Sequence, residues 1–199
     1  MARLKVGLLG GSFNPAHEGH RHVTLTALHR LRLDQVWWLV SPQNPLKPTT
    51  DMAPIEERLA RARQMAAHPR IRVTDLERRL GTRYTVDTLL ALRRRFPDIR
   101  FVWLMGADNL QQITRWRRWE TIFETVPVAI FNRSSYSYRA LAGAAAQRFG
   151  RFRVSQPAKL AETEPPAWCF LWTRRHPASA TAIRRGRGRK APRTRSTEP

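Results

Sequence analysis

Short, predominantly apolar runs alternate with helical stretches along this chain. The runs lie at residues 4–9, 36–40, 71–74, 101–105, 126–131 and 168–172. Such runs are typical of strands buried on both faces of a parallel sheet. The segments between them have helical spacing at 18–32, 55–67 and 85–95, and a further helix is expected between 105 and 126. The pattern predicts an α/β fold with a doubly wound parallel sheet, whose ligands bind beyond the carboxyl ends of the strands.

The composition of the 199 residues excludes several classes of protein. Hydrophobic residues make up 42% of the chain, which is enough for a buried core, and no apolar run approaches a membrane span. The single cysteine cannot form an internal disulfide, and the N-terminus lacks the long apolar region of a signal peptide. We therefore expect a cytoplasmic protein without a membrane partner.

The charge is strongly basic, with 36 Lys and Arg residues against 15 Asp and Glu, a net +21. Seven of the basic residues lie between 184 and 195, among glycines and prolines without apolar periodicity. We expect one domain over residues 1–185 and a disordered Arg-rich tail over 186–199 that binds polyanions non-specifically. No zinc-finger, RRM or homeodomain pattern supports a specific nucleic-acid partner, so nucleic-acid binding is a remote alternative.

The first run ends in the string Gly10-Gly11-Ser12-Phe13-Asn14-Pro15-Ala16-His17-Glu18-Gly19-His20. Two glycines at a strand end let backbone N–H groups approach an anion. His17 and His20 are three residues apart at a helix start, so both rings can lie on one face, where the helix dipole adds positive charge. The string predicts a phosphate-binding site, with capping of the helix by the two histidines as the structural alternative.

Three other anion- or metal-binding motifs do not fit this string. It is not a P-loop, because no Gly-Lys-Ser/Thr follows the glycines, and it lacks the G-x-G-x-x-G spacing of a dinucleotide-binding fingerprint. A zinc protease needs a second histidine at position 21, which is arginine.

The string resembles the signature of the nucleotidylyltransferase superfamily, whose H-x-G-H element handles the nucleoside triphosphate. The resemblance implies the Rossmann-like nucleotidylyltransferase fold and makes His17 and His20 the candidate catalytic residues. A second element, residues 179–184, resembles the superfamily's I-S-S-T-x-I-R, with Ala180 in place of the second serine. The implied ATP-binding residues are Gly10, Gly11, Ser12, Phe13, His17, His20, Gly106, Ser179, Thr181 and Arg184.

Two further segments resemble the bacterial nicotinate-nucleotide adenylyltransferases within that superfamily. Residues 81–89 match a Y-T-x-D-T-L pattern, in which Thr85 is a candidate helix N-cap and the free N–H groups of the first turn could bind a carboxylate. An ordinary capped helix is the alternative reading. Residues 106–119 match a G-x-D-x-L…W-x-x-W pattern, with Asp108 placed for ribose hydroxyls or for a metal and Trp116 for a pyridine or adenine ring.

The resemblance implies a set of nicotinate-mononucleotide-binding residues, namely Asn14, Lys47, Thr85, Val86, Asp108, Trp116 and Arg133. The chain departs from the family pattern near two of them. Leu46 replaces the histidine that usually precedes the lysine, and Ser134 and Ser135 follow Arg133 in place of proline and glycine. The family's closing helix is replaced by the Arg-rich tail, which leaves an inactive family member open.

The implied reaction transfers the adenylyl group of ATP to nicotinate mononucleotide and releases pyrophosphate. Mg²⁺ is expected to enter with ATP as a bridging cation held mainly by phosphates, without a dedicated protein metal site. Nicotinamide mononucleotide and phosphopantetheine are the alternative acceptors within the superfamily.

Overall fold

The computed structural model describes residues 3–42, 52–132 and 136–173, and its centre is one six-stranded parallel sheet. The spatial order is β3-β2-β1-β4-β5-β6. The predicted doubly wound parallel sheet is therefore confirmed, and the strand order reverses between β1 and β4. The strands are β1 (Leu4–Gly11), β2 (Gln35–Val40), β3 (Ile71–Thr74), β4 (Ile99–Gly106), β5 (Val128–Phe131) and β6 (Trp168–Leu171).

Helices connect the strands and cover both faces of the sheet. They are α1 (Glu18–Arg30), α2 (Ile55–Ala66), α3 (Leu76–Arg79), α4 (Thr85–Arg95), α5 (Ala107–Gln112), α6 (Trp119–Thr125), α7 (Tyr136–Leu141) and α8 (Ala144–Arg148). Short 3₁₀ turns lie at Ile113–Arg115, Gly150–Phe152 and Pro157–Glu162. Within the described ranges, no helix has the length and apolar character needed to cross a membrane.

One strand boundary differs from the sequence prediction for a local reason. The predicted start of β5 was residue 126, but the N–H of Val126 donates to the Ile122 carbonyl and so ends α6. Pro127 has no N–H to donate to a neighbouring strand. The β5 ladder therefore begins at Val128, two residues later than predicted.

The runs are predominantly apolar because both faces of the sheet are buried. Successive residues of β4 alternate between two hydrophobic clusters, with Phe101 and Trp103 in one and Val102 and Leu104 in the other. Helices α4 and α6 cover the first cluster, whereas α1 and α2 cover the second. A strand buried on both faces has few positions for an exposed polar residue, which explains the pattern read from the sequence. The exposed Arg72 lies in β3, at the edge of the sheet.

Two glycines of β1 are required by packing. A Cβ on Gly7 would lie 2.8 Å from Leu33 Cδ1 and 2.9 Å from Leu104 Cδ1. A Cβ on Gly10 would lie 2.5 Å from Cη2 of Trp103. Gly10 therefore has a structural reason to be glycine, in addition to the anion-binding role predicted for it.

We predict that Gly7→Ala lowers the free energy of unfolding by about 1–3 kcal/mol, since Leu33 and Leu104 are fully buried and leave no space. Urea denaturation of the two proteins measures this difference. Gly150→Ala is the matched control, because nothing lies within 4 Å of its added Cβ. Equal losses in the two variants would contradict the packing argument.

Candidate active site

The predicted phosphate-binding string lies where the strand order reverses. Leu9 of β1 pairs with Leu104 of β4, and the two strands end two residues further on, at Gly11 and Gly106. The chain leaves these strand ends for helices on opposite faces of the sheet, which opens a crevice between them. Residues 12–20 and residues 107–108 follow directly, so two of the predicted motifs meet at one edge.

His17 and His20 cap the start of α1 reciprocally. His17 is the N-cap, and its Nδ1 accepts a hydrogen bond from the Gly19 N–H at 3.1 Å. The His17 N–H in turn donates to Nδ1 of His20 at 3.2 Å. This is a capping box in which two imidazoles take the positions usually held by Ser/Thr and Glu/Gln. The capping alternative from the sequence is therefore confirmed.

The capping bonds determine which ring nitrogens carry protons. A ring nitrogen that accepts a hydrogen bond holds no proton, so each neutral imidazole carries its proton on Nε2. The ring centroids are 3.9 Å apart, with His17 only 2% exposed and His20 half-buried. Helix capping thus leaves two neighbouring rings in the tautomer that donates from Nε2, and capping and phosphate binding are compatible.

Phe13 holds a strained position in the loop between β1 and α1. Its φ of 46° lies in the left-handed region, which costs a non-glycine residue roughly 1–3 kcal/mol. The packing of the ring offsets this cost: its centroid lies 4.9 Å from that of the stacked Trp38 ring and 4.7 Å from that of the His20 ring. Phe13 is 1% exposed and belongs to the hydrophobic cluster that α1 and α2 cover, so its ring supports the loop from the core.

Asn14 and Arg58 connect this loop to the start of α2. Asn14 Oδ1 accepts a hydrogen bond from the Ala53 N–H at 3.3 Å. Arg58 donates to the Ser12 carbonyl at 2.7 Å and is 2% exposed. The sequence reasoning missed Arg58, although its position beside Leu59 on the buried stripe of α2 is unusual for an arginine.

The helix start predicted to bind the acceptor forms as expected, with one correction. α4 spans Thr85–Arg95, but its N-cap is Tyr84 rather than Thr85, and no side chain caps it. Thr85 is the first helical residue and is half-buried, whereas Val86 is fully buried. Since a helix start leaves its first N–H groups without intrahelical acceptors, these donors can serve a ligand.

A cation–π contact joins the tryptophan segment to this helix start. The Arg117 guanidinium lies 4.9 Å from the Tyr84 ring centroid, which brings the adjacent Trp116 segment against α4. Trp116 is half-buried, and its buried indole N–H has no hydrogen-bond partner among the described residues. Asp108, in the first turn of α5, is also half-buried, and Gly106 is the N-cap of that helix.

Five predicted binding residues lie outside the described residues, and their roles stay predictions: Lys47, Arg133, Ser179, Thr181 and Arg184. The described residues do show where the segment that leads to Arg133 and the segment that leads to residues 179–184 leave the sheet. Asn132, directly after β5, accepts from the Thr173 N–H at 2.8 Å and donates to the Thr173 carbonyl at 3.0 Å. The segments after β5 and β6 therefore start side by side at the carboxyl edge of the sheet.

Glu77 is a buried carboxyl group at the same edge. It lies in α3 and is 8% exposed, and burial raises the pKa of its carboxyl group to about 7. A hydrogen bond from the Ser41 side chain opposes this rise in the pKa without cancelling it. Ser41 directly follows β2, so Glu77 connects α3 to the end of that strand.

We predict that Glu77 makes the stability pH-dependent between about pH 4.5 and 7. In this window the unfolded chain releases the Glu77 proton while the folded protein keeps it, so stability falls as the pH rises. The free energy of unfolding of Glu77→Gln, relative to that of the parent protein, should therefore rise by on the order of 1–3 kcal/mol between pH 5 and pH 8. Urea denaturation at both pH values measures this gain, with the exposed Glu124→Gln as control. A gain that is the same at both pH values would contradict the burial argument.

Known proteins resemble this chain over nearly its whole length. A family model described as Cytidylyltransferase-like matches residues 8–186. A protein of Cereibacter sphaeroides described as a probable nicotinate-nucleotide adenylyltransferase is 57% identical over 179 residues, which are 90% of this chain and 96% of the relative. A protein of Parvibaculum lavamentivorans with the same description is 56% identical over 183 residues, 91% of each chain.

A solved structure has the same fold. The nicotinic acid mononucleotide adenylyltransferase of Plasmodium falciparum, in complex with NaAD, matches with a TM-score of 0.70 over 92% of this chain and 83% of that chain. Its sequence identity is 15%, so this likeness concerns the fold alone. The family model and the close relatives carry the assignment further: this chain belongs to the cytidylyltransferase-like family and, within it, to the nicotinate-nucleotide adenylyltransferases.

Proposed function

We propose that this protein transfers the adenylyl group of ATP to nicotinate mononucleotide, giving nicotinate adenine dinucleotide and pyrophosphate in NAD biosynthesis. The observation that carries the proposal is the pair of imidazoles that cap the start of α1 through Nδ1, at the switch point of the sheet. The membership in the nicotinate-nucleotide adenylyltransferases supports the choice of acceptor.

The reaction needs no nucleophile from the enzyme. A 5′-phosphate oxygen of the mononucleotide forms a bond to the α-phosphorus of ATP, while the bond from that phosphorus to the bridging oxygen breaks. The bonding electrons leave with pyrophosphate. The protein then contributes by aligning the two substrates and stabilising the negative charge on the reacting phosphates.

We assign the triphosphate to the loop after β1 and the start of α1. His20 is half-buried and can donate from Nε2 to a non-bridging phosphate oxygen, with His17 beside it. Backbone N–H groups of residues 10–13 and the α1 dipole add to the same positive potential. Ser179, Thr181 and Arg184 are proposed for the β- and γ-phosphates on the resemblance alone.

We assign the acceptor to the start of α4 and the tryptophan segment beside it. The N–H groups of Thr85 and Val86 are proposed to bind the nicotinate carboxylate, and Trp116 the pyridine ring. The Arg117 guanidinium, held near Tyr84, places positive charge on this side of the crevice. Asp108 is proposed for the ribose hydroxyls, and Asn14, Lys47 and Arg133 complete the set on the resemblance alone.

The described residues fit an ion that enters with its substrate. Among residues 3–42, 52–132 and 136–173, no three His, Cys, Asp or Glu side chains are grouped so that they could hold a metal. Phosphate oxygens are the ligands that Mg²⁺ prefers, so we propose that Mg²⁺ arrives bound to ATP. When bound, it would neutralise charge on the phosphates.

The acceptor is tested by comparing kcat/KM for pyrophosphate release from ATP with three acceptors, namely the nicotinate and nicotinamide mononucleotides and phosphopantetheine. We expect nicotinate mononucleotide to exceed nicotinamide mononucleotide by about 10² to 10⁴, because an amide turns its NH₂ against a backbone donor and lacks the charge that the dipole attracts. Phosphopantetheine should give no release above background. Equal values for the two mononucleotides would contradict the carboxylate site, and release with phosphopantetheine alone would overturn the proposed function.

The role of His20 can be separated from its capping role by His20→Gln. A glutamine at this position of a capping box still accepts the N-cap N–H, so we expect the free energy of unfolding to change by less than about 1 kcal/mol. Turnover should fall by about 10² to 10⁴, on the scale of losing a donor to the developing charge. Steady-state kinetics and urea denaturation measure the two effects, with the exposed His29→Gln at the other end of α1 as control. Near-normal turnover of His20→Gln would remove the imidazole from the mechanism.

Non-specific polyanion binding by residues 186–199 is part of the proposal, with no specific nucleic-acid partner. These residues lie outside the described ranges, so the disorder and the boundary at residue 185 stay predictions. Their basic composition supports the polyanion assignment.

A further inference from the structure

The guanidinium of Arg58 is surrounded by backbone carbonyl oxygens. Its Nε donates to the Ala53 carbonyl at 2.9 Å, and its Nη1 donates to those of Ser12 and Ser41, each at 2.7 Å. Its Nη2 donates to the Pro42 carbonyl at 3.0 Å. Since the residue is 2% exposed, a buried cation is stabilised here by four main-chain dipoles.

The four carbonyls belong to segments that must lie together for the crevice to form. Ser12 follows β1, Ser41 and Pro42 follow β2, and Ala53 precedes α2. Ser41 is held further by its N–H, which donates to the Gly11 carbonyl at 2.9 Å. Arg58 therefore joins the exits of two adjacent strands to its own helix, directly beneath the loop assigned to the triphosphate.

The bond to Ser12 also sets the direction of the next N–H. The Ser12–Phe13 peptide is trans, so its carbonyl oxygen and the Phe13 N–H point in opposite directions. Holding the carbonyl toward Arg58 therefore turns the Phe13 N–H away from α2. Phe13 adopts the left-handed conformation at this point, with a φ of 46°, so the direction of its N–H is set between the Ser12 carbonyl on Arg58 and the ring stacked on Trp38.

We propose that Arg58 is a positioning residue, which orients the backbone of residues 12–13 for the triphosphate by binding the Ser12 carbonyl. The proposal rests on the adenylyl transfer described above, and it assigns Arg58 no contact with either substrate. Lysine cannot replace it. The guanidinium binds the four carbonyls through three separate nitrogen atoms, whereas a lysine side chain has all three of its donors on one nitrogen and cannot reach all four oxygens. The larger effect is expected on ATP, since of the described residues assigned to the acceptor only Asn14 lies in the loop that Arg58 holds, whereas the others lie at α4, α5 and the tryptophan segment.

The test compares Arg58→Lys and Arg58→Ala with the parent protein by calorimetric titration of ATP and by kinetics with both substrates. We expect the Kd and KM for ATP to rise about 10- to 100-fold, which is the scale of the loss when a bound substrate is misplaced by about 1 Å. The KM for nicotinate mononucleotide should change less than about threefold. Methylguanidinium should restore part of the ATP affinity of Arg58→Ala, whereas tetramethylammonium at the same ionic strength should not. Arg61→Ala is the matched control, an exposed arginine of the same helix that pairs with Glu57.

Two results would overturn the positioning role. One is an equal rise of KM for both substrates in a folded Arg58→Lys, which would indicate general loosening. The other is ATP affinity within threefold of the parent value. Failure of the proposed function is distinguishable, because the parent protein would then bind ATP without releasing pyrophosphate in the presence of nicotinate mononucleotide.

Discussion

The reciprocal capping of α1 by His17 and His20 is the interaction on which the site depends. Each imidazole satisfies a backbone N–H that would otherwise lack an acceptor at a buried helix start. Because Nδ1 of each ring accepts one of these two bonds, it carries no proton, and the proton of each neutral ring lies on Nε2. One arrangement therefore begins the helix, aligns the rings at 3.9 Å and selects their donor atoms.

The parallel sheet supplies the rigidity that this arrangement needs. Strands buried on both faces hold their carboxyl ends at a common edge, and polar contacts then fasten the segments that leave it. Asn132 joins the exits of β5 and β6, while Arg58 and Glu77 both reach the Ser41 segment after β2. These buried polar groups are costly without their partners, so they specify a single arrangement of the loops around the crevice.

Much of this organisation could be predicted from residue patterns, because the relevant signals are local. All six strands follow from apolar runs, and α4 has the predicted bounds because its apolar spacing is uninterrupted. The string around His17 and His20 stands out through its glycines at a strand end and its paired histidines at a helix start, and capping is the structural alternative for those histidines. The short helices α7 and α8 were missed, since five or six residues are too few to display a helical period.

The missed features depend on contacts between segments distant in sequence. The role of Arg58 cannot be read from a chain with 36 basic residues, because its partners include Ser12, which is 46 residues away. The N-cap of α4 is Tyr84 rather than Thr85 although no side chain caps the helix, so the preference of threonine for N-cap positions does not apply here. The contact of the Tyr84 ring with Arg117, 33 residues further along the chain, is also invisible in the local sequence.

The claim that capping selects the donor atoms is tested most directly by ¹⁵N–¹H correlation spectra of the histidine rings in the protein without ligand. We predict that His17 and His20 appear as neutral rings protonated on Nε2, with Nδ1 in the range of an acceptor nitrogen. Addition of ATP should shift the Nε2 signals and leave the Nδ1 signals near their positions. Protonation of either ring on Nδ1 would contradict the account, because that nitrogen could not then accept the capping hydrogen bond.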